Sequence, residues 1–196
     1  MPIDAKIVME LRQQTGAAMM DAKKALEEAN GDMEKAMEAL RKNGALKAAK
    51  KSSRTTGEGL IHAYVHTNGK VGAIVQVLCE TDFVAINEQF KDFVHNIAMQ
   101  IVATNPLYVN PEDVPAEVLA KEKEFASEEF AGSGKPQEMI NKIVEGKLGK
   151  YYSEVCLTKQ AFIKDEDITI EDYVKNTIAK IGENIQIKKF VRLSFE

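Results

Sequence analysis

Three histidines, two cysteines and a few glycine-rich turns are the places in this 196-residue sequence where catalysis, metal binding or phosphate binding could be built. His62 and His66 have the i, i+4 spacing of a helical metal pair. The alternation around them predicts a strand instead, and on a strand they lie about 13 Å apart at roughly 3.3 Å per residue, too far to share an ion. His95 falls on the polar side of a predicted helix and is read as solvated. Cys79 and Cys156 make neither a disulfide framework nor a zinc site. Gly132-Ser133-Gly134-Lys135 looks like half a phosphate loop. However, Pro136 replaces the required Ser or Thr, Glu129 stands at the first glycine position, and no strand precedes the segment. Gly57-Glu58-Gly59 lacks the third glycine and the following helix of a dinucleotide fingerprint. No Gly-x-Ser-x-Gly elbow occurs and no Cys–His pair is implied by spacing. Carboxylates are abundant on the helices, and solvated faces account for them. No catalytic residue, metal or cofactor is expected.

One segment resists this plain reading. Glu80-Thr81-Asp82-Phe83-Val84-Ala85 lies between a predicted strand and a helix whose apolar face begins only at Phe90. Thr81 or Asp82 could cap a helix with Phe83 as a hydrophobic staple. Alternatively, Phe83 beside an acid at a tight turn could be an exposed wedge that anchors a partner.

The elements around it are legible from periodicity. Asp4 caps a helix with Ile7, Val8 and Leu11 inward, stopped at Gly16. A second helix runs from about Met19 to Asn30 with Ala22, Ala25, Leu26 and Ala29 inward, and ends at Gly31. Asp32 caps a third, with Ala36, Met37, Ala39 and Leu40 inward and Gly44 closing it. Beyond Gly57, Leu60 to His66 and Val71 to Glu80 read as strands joined through Asn68-Gly69. Phe90, Phe93, Val94, Ile97, Ala98, Ile101 and Val102 then mark a helix ended by Asn105-Pro106. Pro115 and Pro136 open helices near 115–130 and 136–146, and another covers 147–154. Thr169 to Asp172 resembles a capping box for a helix ending at Ile181, with Gly182 as its stop. A last strand carries Ile185, Ile187, Val191, Leu193 and Phe195 on one face and joins the hairpin. The expected class is α+β: a small N-terminal three-helix bundle (1–56, with its linker), then a core (57–196) of three antiparallel strands covered by helices.

Composition sets the wider bounds. The net charge is −4, from 26 basic and 30 acidic residues. Residues 1–56 carry +3 of it and residues 57–196 carry −7. Arg41 to Gly57 holds six basic residues and no acid, and Lys50 to Gly57 is polar throughout, as a linker should be. No aromatics interleave those basic residues, so direct nucleic-acid binding is not expected. No apolar run approaches the roughly 18 residues that span a bilayer, and Met1-Pro2-Ile3-Asp4 begins no signal peptide. A reduced, cytosolic protein is expected, with no membrane partner.

Thr81-Asp82-Phe83-Val84-Ala85, with Cys79-Glu80 before it, is similar to the signature of the bacterial translation elongation factor Ts family. Leu11-Arg12 through Thr15-Gly16-Ala17, Met19-Met20-Asp21, Lys23-Lys24-Ala25-Leu26 and Ala29-Asn30-Gly31-Asp32 resemble that family's N-terminal module. Gly44 to Lys51, Asn105-Pro106, Ser133 to Pro136 and Lys180 to Ile185 extend the resemblance, in family order, over nearly the whole chain.

The resemblance implies a guanine-nucleotide exchange factor for the GTPase elongation factor Tu, and no enzyme in the bond-making sense. Its N-terminal module resembles a ubiquitin-associated fold that docks on the nucleotide-binding domain, with Arg12, Met19, Met20, Asp21 and Lys24 at the matching positions. Thr81, Asp82, Phe83 and Val84 match the segment pushed between GTPase helices, where Asp82 and Phe83 disturb the Mg²⁺ site. Gln100 stands where many members carry a partner-contacting His, which it can match in hydrogen bonding but not in charge or stacking. A single core copy resembles the short members, which pair into homodimers and so give a 2:2 assembly. The apolar face of the Ile185–Phe195 strand and the Asn68-Gly69 hairpin are the expected interface elements, because a three-stranded sheet leaves open edges. A peptide- or ubiquitin-binding adaptor with an oligomerising core is the competing reading, and it leaves Thr81 to Ala85 unexplained.

Overall fold

A computed structural model describes residues 4–130 and 136–195. The half phosphate loop at 132–135 and the start of the chain at 1–3 lie outside the described residues.

The N-terminal bundle forms from α1 (Ala5–Thr15), α2 (Met19–Glu28) and α3 (Met33–Lys51). Its ends follow local chemistry: the Asp4 side chain accepts from the Lys6 amide at 2.9 Å, Gly16 stops α1 in the left-handed region, and Asp32 accepts from the Lys35 amide at 3.1 Å. Val8, Leu11, Ala22, Ala25, Leu26 and Ala36 make the sealed centre, with Ile7, Met37 and Leu40 packed against it. Gly44, expected to close the third helix, is instead buried inside α3. A Cβ there would sit 3.4 Å from the Ala179 Cβ, in ordinary contact, so the glycine lies at a packed position within the helix rather than at its end. Good helix formers from Ala45 to Lys51 then carry the helix onward.

The hairpin strands are β1 (Glu58–Val65) and β2 (Val71–Cys79), turned through Asn68 and a left-handed Gly69. A one-turn helix α4 (Asp82–Ala85) precedes α5 (Glu88–Thr104). All seven apolar positions expected to face inward on α5 are buried. After a 3₁₀ turn (Pro111–Asp113) come α6 (Ala116–Glu128) and α7 (Gln137–Val155). Pro115 and Pro136 occupy the cap positions of these two helices. The last two helices expected before residue 155 are one, because Gly146 and Gly149 stay helical in open space instead of breaking it. A second 3₁₀ turn (Leu157–Lys159) leads to a short antiparallel hairpin, β3 (Ala161–Phe162) with β4 (Asp165–Thr169), which periodicity does not reveal because one strand has only two residues. The chain closes with α8 (Ile170–Ile181) and β5 (Gln186–Ser194). The three-stranded sheet is antiparallel in the order β1-β2-β5, as expected for an α+β core.

The expected single face of the last strand is not continuous. Ile185 and Ile187 are buried, whereas Val191, Leu193 and Phe195 are exposed. Lys188 and Lys189 are exposed in succession, and beyond them the less exposed positions are Phe190, Arg192 and Ser194.

The chain forms two compact units. One holds Met1–Ile61, Gln76–His95 and Asp172–Ile187; the other holds His62–Val75, Asn96–Glu171 and Lys188–Glu196.

Candidate functional site

The site lies in the first unit, where β2 runs out. Cys79 is sealed in the core and its thiol donates to the Thr81 carbonyl at 3.2 Å. Burial, with the nearby Glu183 carboxylate, pushes that thiol up to about 11, so it is protonated at neutral pH. Thr81 then caps α4, its hydroxyl oxygen accepting from the Val84 amide at 3.4 Å. Asp82 accepts from the adjacent Phe83 amide at 2.9 Å. The capping half of the plain reading therefore holds, but the staple half does not. Phe83 is 77% exposed and Ile86 is 68% exposed, so neither ring nor alkyl group is folded back onto the helix. An aromatic and an acid stand side by side in solvent on a turn held from below.

What holds the turn is a reciprocal clasp with the residues after α8. The Glu183 carboxylate accepts from the Glu80 amide at 3.1 Å, the Thr81 amide at 3.0 Å and the Thr81 hydroxyl at 2.6 Å. In return the Asn184 amide donates to the Glu80 carboxylate at 2.6 Å. Asn184 is buried, and its side-chain nitrogen donates to the Ser52 and Arg54 carbonyls at 3.3 and 2.9 Å, while Arg54 pairs with Glu80 at 3.5 Å. Gly182 permits the tight exit from α8 at φ +92°, and the Lys51 ammonium donates to its carbonyl. Sequence reasoning gave Glu183 and Asn184 no role. Polar residues between a helix stop and a strand are also what an ordinary loop looks like.

Gly59, read as a weak nucleotide fingerprint, has a structural reason to be glycine. At φ +153°, a Cβ would meet the Val77 carbonyl oxygen at 2.1 Å.

On the N-terminal bundle, Arg12, Met19, Met20 and Lys24 are exposed, Met20 most of the methionines in α2. Lys24 also reaches Glu28 at 3.8 Å. Asp21 is half-buried and pairs with Lys47 at 2.7 Å, tying α2 to α3. Part of the basic stretch is likewise paired at the surface: Arg41 with Asp172 at 3.2 Å and Lys42 with Glu38 at 2.8 Å.

Gln100, in the second unit, is fully buried. Its amide nitrogen donates to the Ala161 carbonyl at 3.0 Å and its oxygen accepts from the Ile163 amide at 2.9 Å, securing the β3–β4 hairpin. Its side chain presents nothing at the surface. Among the described residues, no helix is long and apolar enough to cross a membrane, and no three His, Cys, Asp or Glu side chains cluster as metal ligands.

An exposed aromatic–acid turn clasped to the core and a helical bundle with exposed methionines mark this as an α+β protein whose first unit shows large apolar side chains at its surface. Residues 5–177 match the family described as Elongation factor TS. Proteins named Elongation factor Ts are similar over almost the entire chain. The one from Thermosipho melanesiensis is 56% identical over 192 residues, 98% of each chain. That from Moorella thermoacetica is 54% identical over 190 residues, 97% of this chain and 94% of the relative. A third, from Fervidobacterium nodosum, is 54% identical over 193 residues, 98% of each. The chain belongs to the elongation factor Ts family.

Proposed function

We propose that this chain is a cytoplasmic guanine-nucleotide exchange factor for elongation factor Tu, releasing GDP by inserting the Thr81–Val84 turn into the GTPase. The observation that carries the reading is Phe83, 77% exposed next to Asp82 on a turn whose backbone is anchored from within. Exposing a large aromatic on a held turn keeps it available without a folding penalty at the moment of contact.

The chemistry requires no bond making. GDP phosphates and Mg²⁺ hold one another, and an octahedral Mg²⁺ site tolerates little distortion. Displacing the groups around the ion weakens both. Coupling is reciprocal, so GDP weakens this protein's grip by the factor by which the protein weakens GDP's. A ~10⁴-fold effect needs about 5.5 kcal/mol of differential binding. Burying one Phe contributes about 1.5–3 kcal/mol, so the bundle surface around Arg12, Met19, Met20, Asp21 and Lys24, together with other contacts of the core, supplies the rest.

The chain acts as a homodimer in a 2:2 assembly, through the exposed apolar face of the sheet in the second unit: Val65, Ile74, Val191, Leu193 and Phe195.

Stopped-flow release of a fluorescent GDP analogue from elongation factor Tu tests the exchange reading. Catalytic amounts of the chain are expected to speed release with saturation; release at the uncatalysed rate overturns it.

A further inference from the structure

We infer that Glu183 is a positioning residue for exchange: its carboxylate, acting through Thr81, sets the orientation in which Asp82 and Phe83 are presented. This rests on the exchange reading above, but its structural half stands apart from it.

Two observations carry it. First, the three hydrogen bonds from Glu80 and Thr81 converge on one carboxylate, and two of the donors are backbone amides at the point where β2 has ended and α4 has not begun. Both amides lie between the strand and the helix, and the Glu183 carboxylate supplies their acceptor. Second, the Thr81 hydroxyl is used twice. It donates to Glu183 and its oxygen accepts from the Val84 amide. Donation to a carboxylate polarises the hydroxyl and fixes its rotamer, which aims the cap and hence the first turn that bears Asp82 and Phe83. Glu183 itself is half-buried and follows the Gly182 stop of α8, so its carboxylate is placed by a packed helix rather than by the loop it holds. The turn is therefore oriented from outside its own sequence.

Glu183→Ala removes both acceptor oxygens and with them all three hydrogen bonds. Glu183→Gln keeps one oxygen for the two amides but presents a donor to the Thr81 hydroxyl, which then can only accept. The conservative variant should restore part of the effect.

Two measurements on the full chain test this. Amide hydrogen exchange in the free protein reads the clasp directly. In Glu183→Ala, the Thr81 and Val84 amides are expected to exchange about tenfold faster or more, while the Leu26 amide in α2 keeps its protection. In stopped-flow GDP release, Glu183→Ala should lower the maximal rate about tenfold, equivalent to roughly 1.4 kcal/mol. The half-saturating concentration should change far less, since the bundle surface is untouched. Thr81→Val should cost less in the Glu183→Ala background than alone, as coupled residues do. Wild-type protection at Thr81 and Val84, an unchanged maximal rate, or strictly additive losses overturns the inference. If the wild-type chain itself releases no GDP, the exchange reading falls, and the amide measurement alone decides whether Glu183 holds the turn.

Discussion

The Thr81 hydroxyl donates to the Glu183 carboxylate at 2.6 Å across 102 positions of sequence. The anchor of the turn is therefore two residues ahead of Phe83, so the hydrogen bonds that hold the turn are separate from the exposed ring.

That separation makes Phe83→Ala informative. The exposed ring contributes little to stability, and substitutions at such sites stay within about 0.5 kcal/mol, so the melting temperature should hardly move. Maximal GDP release should fall roughly ten- to a hundredfold, the equivalent of about 1.5–3 kcal/mol of lost Phe burial. Asp82→Ala should slow release with the same preserved fold. Release at wild-type speed in both variants would remove this turn from the mechanism.

Gln100 gives the opposite pattern. Gln100→Leu removes the hydrogen bonds to the Ile163 amide and the Ala161 carbonyl, at about 0.5–1.5 kcal/mol for each bond lost. Thermal unfolding should shift down by several degrees, while exchange activity per folded molecule stays within a small factor of wild type. A variant of normal stability and impaired exchange would instead make Gln100 a partner contact.

The thiols should be silent in the folded chain. Cys79 and Cys156 are buried, and burial raises both thiols above their ordinary range. A disulfide reagent at pH 8 should label neither until denaturant is added, and then both. The sign of the pH effect follows. The unfolded Cys79 thiol loses its proton near 9.0, the folded one near 11. Its contribution to stability is thus complete below pH 9 and is lost as pH rises towards 11. Cys79→Ala should show a shallower decline over that interval, measured by denaturant unfolding. Rapid labelling of the native chain would contradict the burial argument.

Self-association is read most simply through Leu193, 71% exposed between Val191 and Phe195. A lysine there places a charge in the apolar face. Sedimentation equilibrium should give about twice 21.7 kDa for the wild type and 21.7 kDa for Leu193→Lys. A monomeric wild type would end the 2:2 assembly.

By itself, the sequence determined whatever depends on near neighbours. Val8 and Leu11, Ala22 to Leu26, and the seven apolar positions from Phe90 to Val102 lie three and four apart, and that spacing creates a buried stripe in any helix. Asp4, Asp32, Gly16 and Gly182 mark helix ends because caps act over one turn. The Thr81–Val84 segment was also visible, as an aromatic and an acid misplaced for a core. Tertiary structure decided the rest. Gly44 reads locally as a stop, yet it lies buried within α3 with Ala179 beside it. Gln100 reads as a surface amide until the β3–β4 hairpin takes up both its hydrogen-bonding ends. Val191, Leu193 and Phe195 continue the parity of Ile187 yet are exposed, because which face of a strand is buried depends on what packs against it, and the chain passes from one compact unit to the other after Ile187. Phe83 could have been a staple or a wedge, and local sequence permits both. Its exposure goes with a clasp from Glu183, which lies 100 residues further along the chain, and a hydrogen bond between such distant residues has no periodicity from which it could be read.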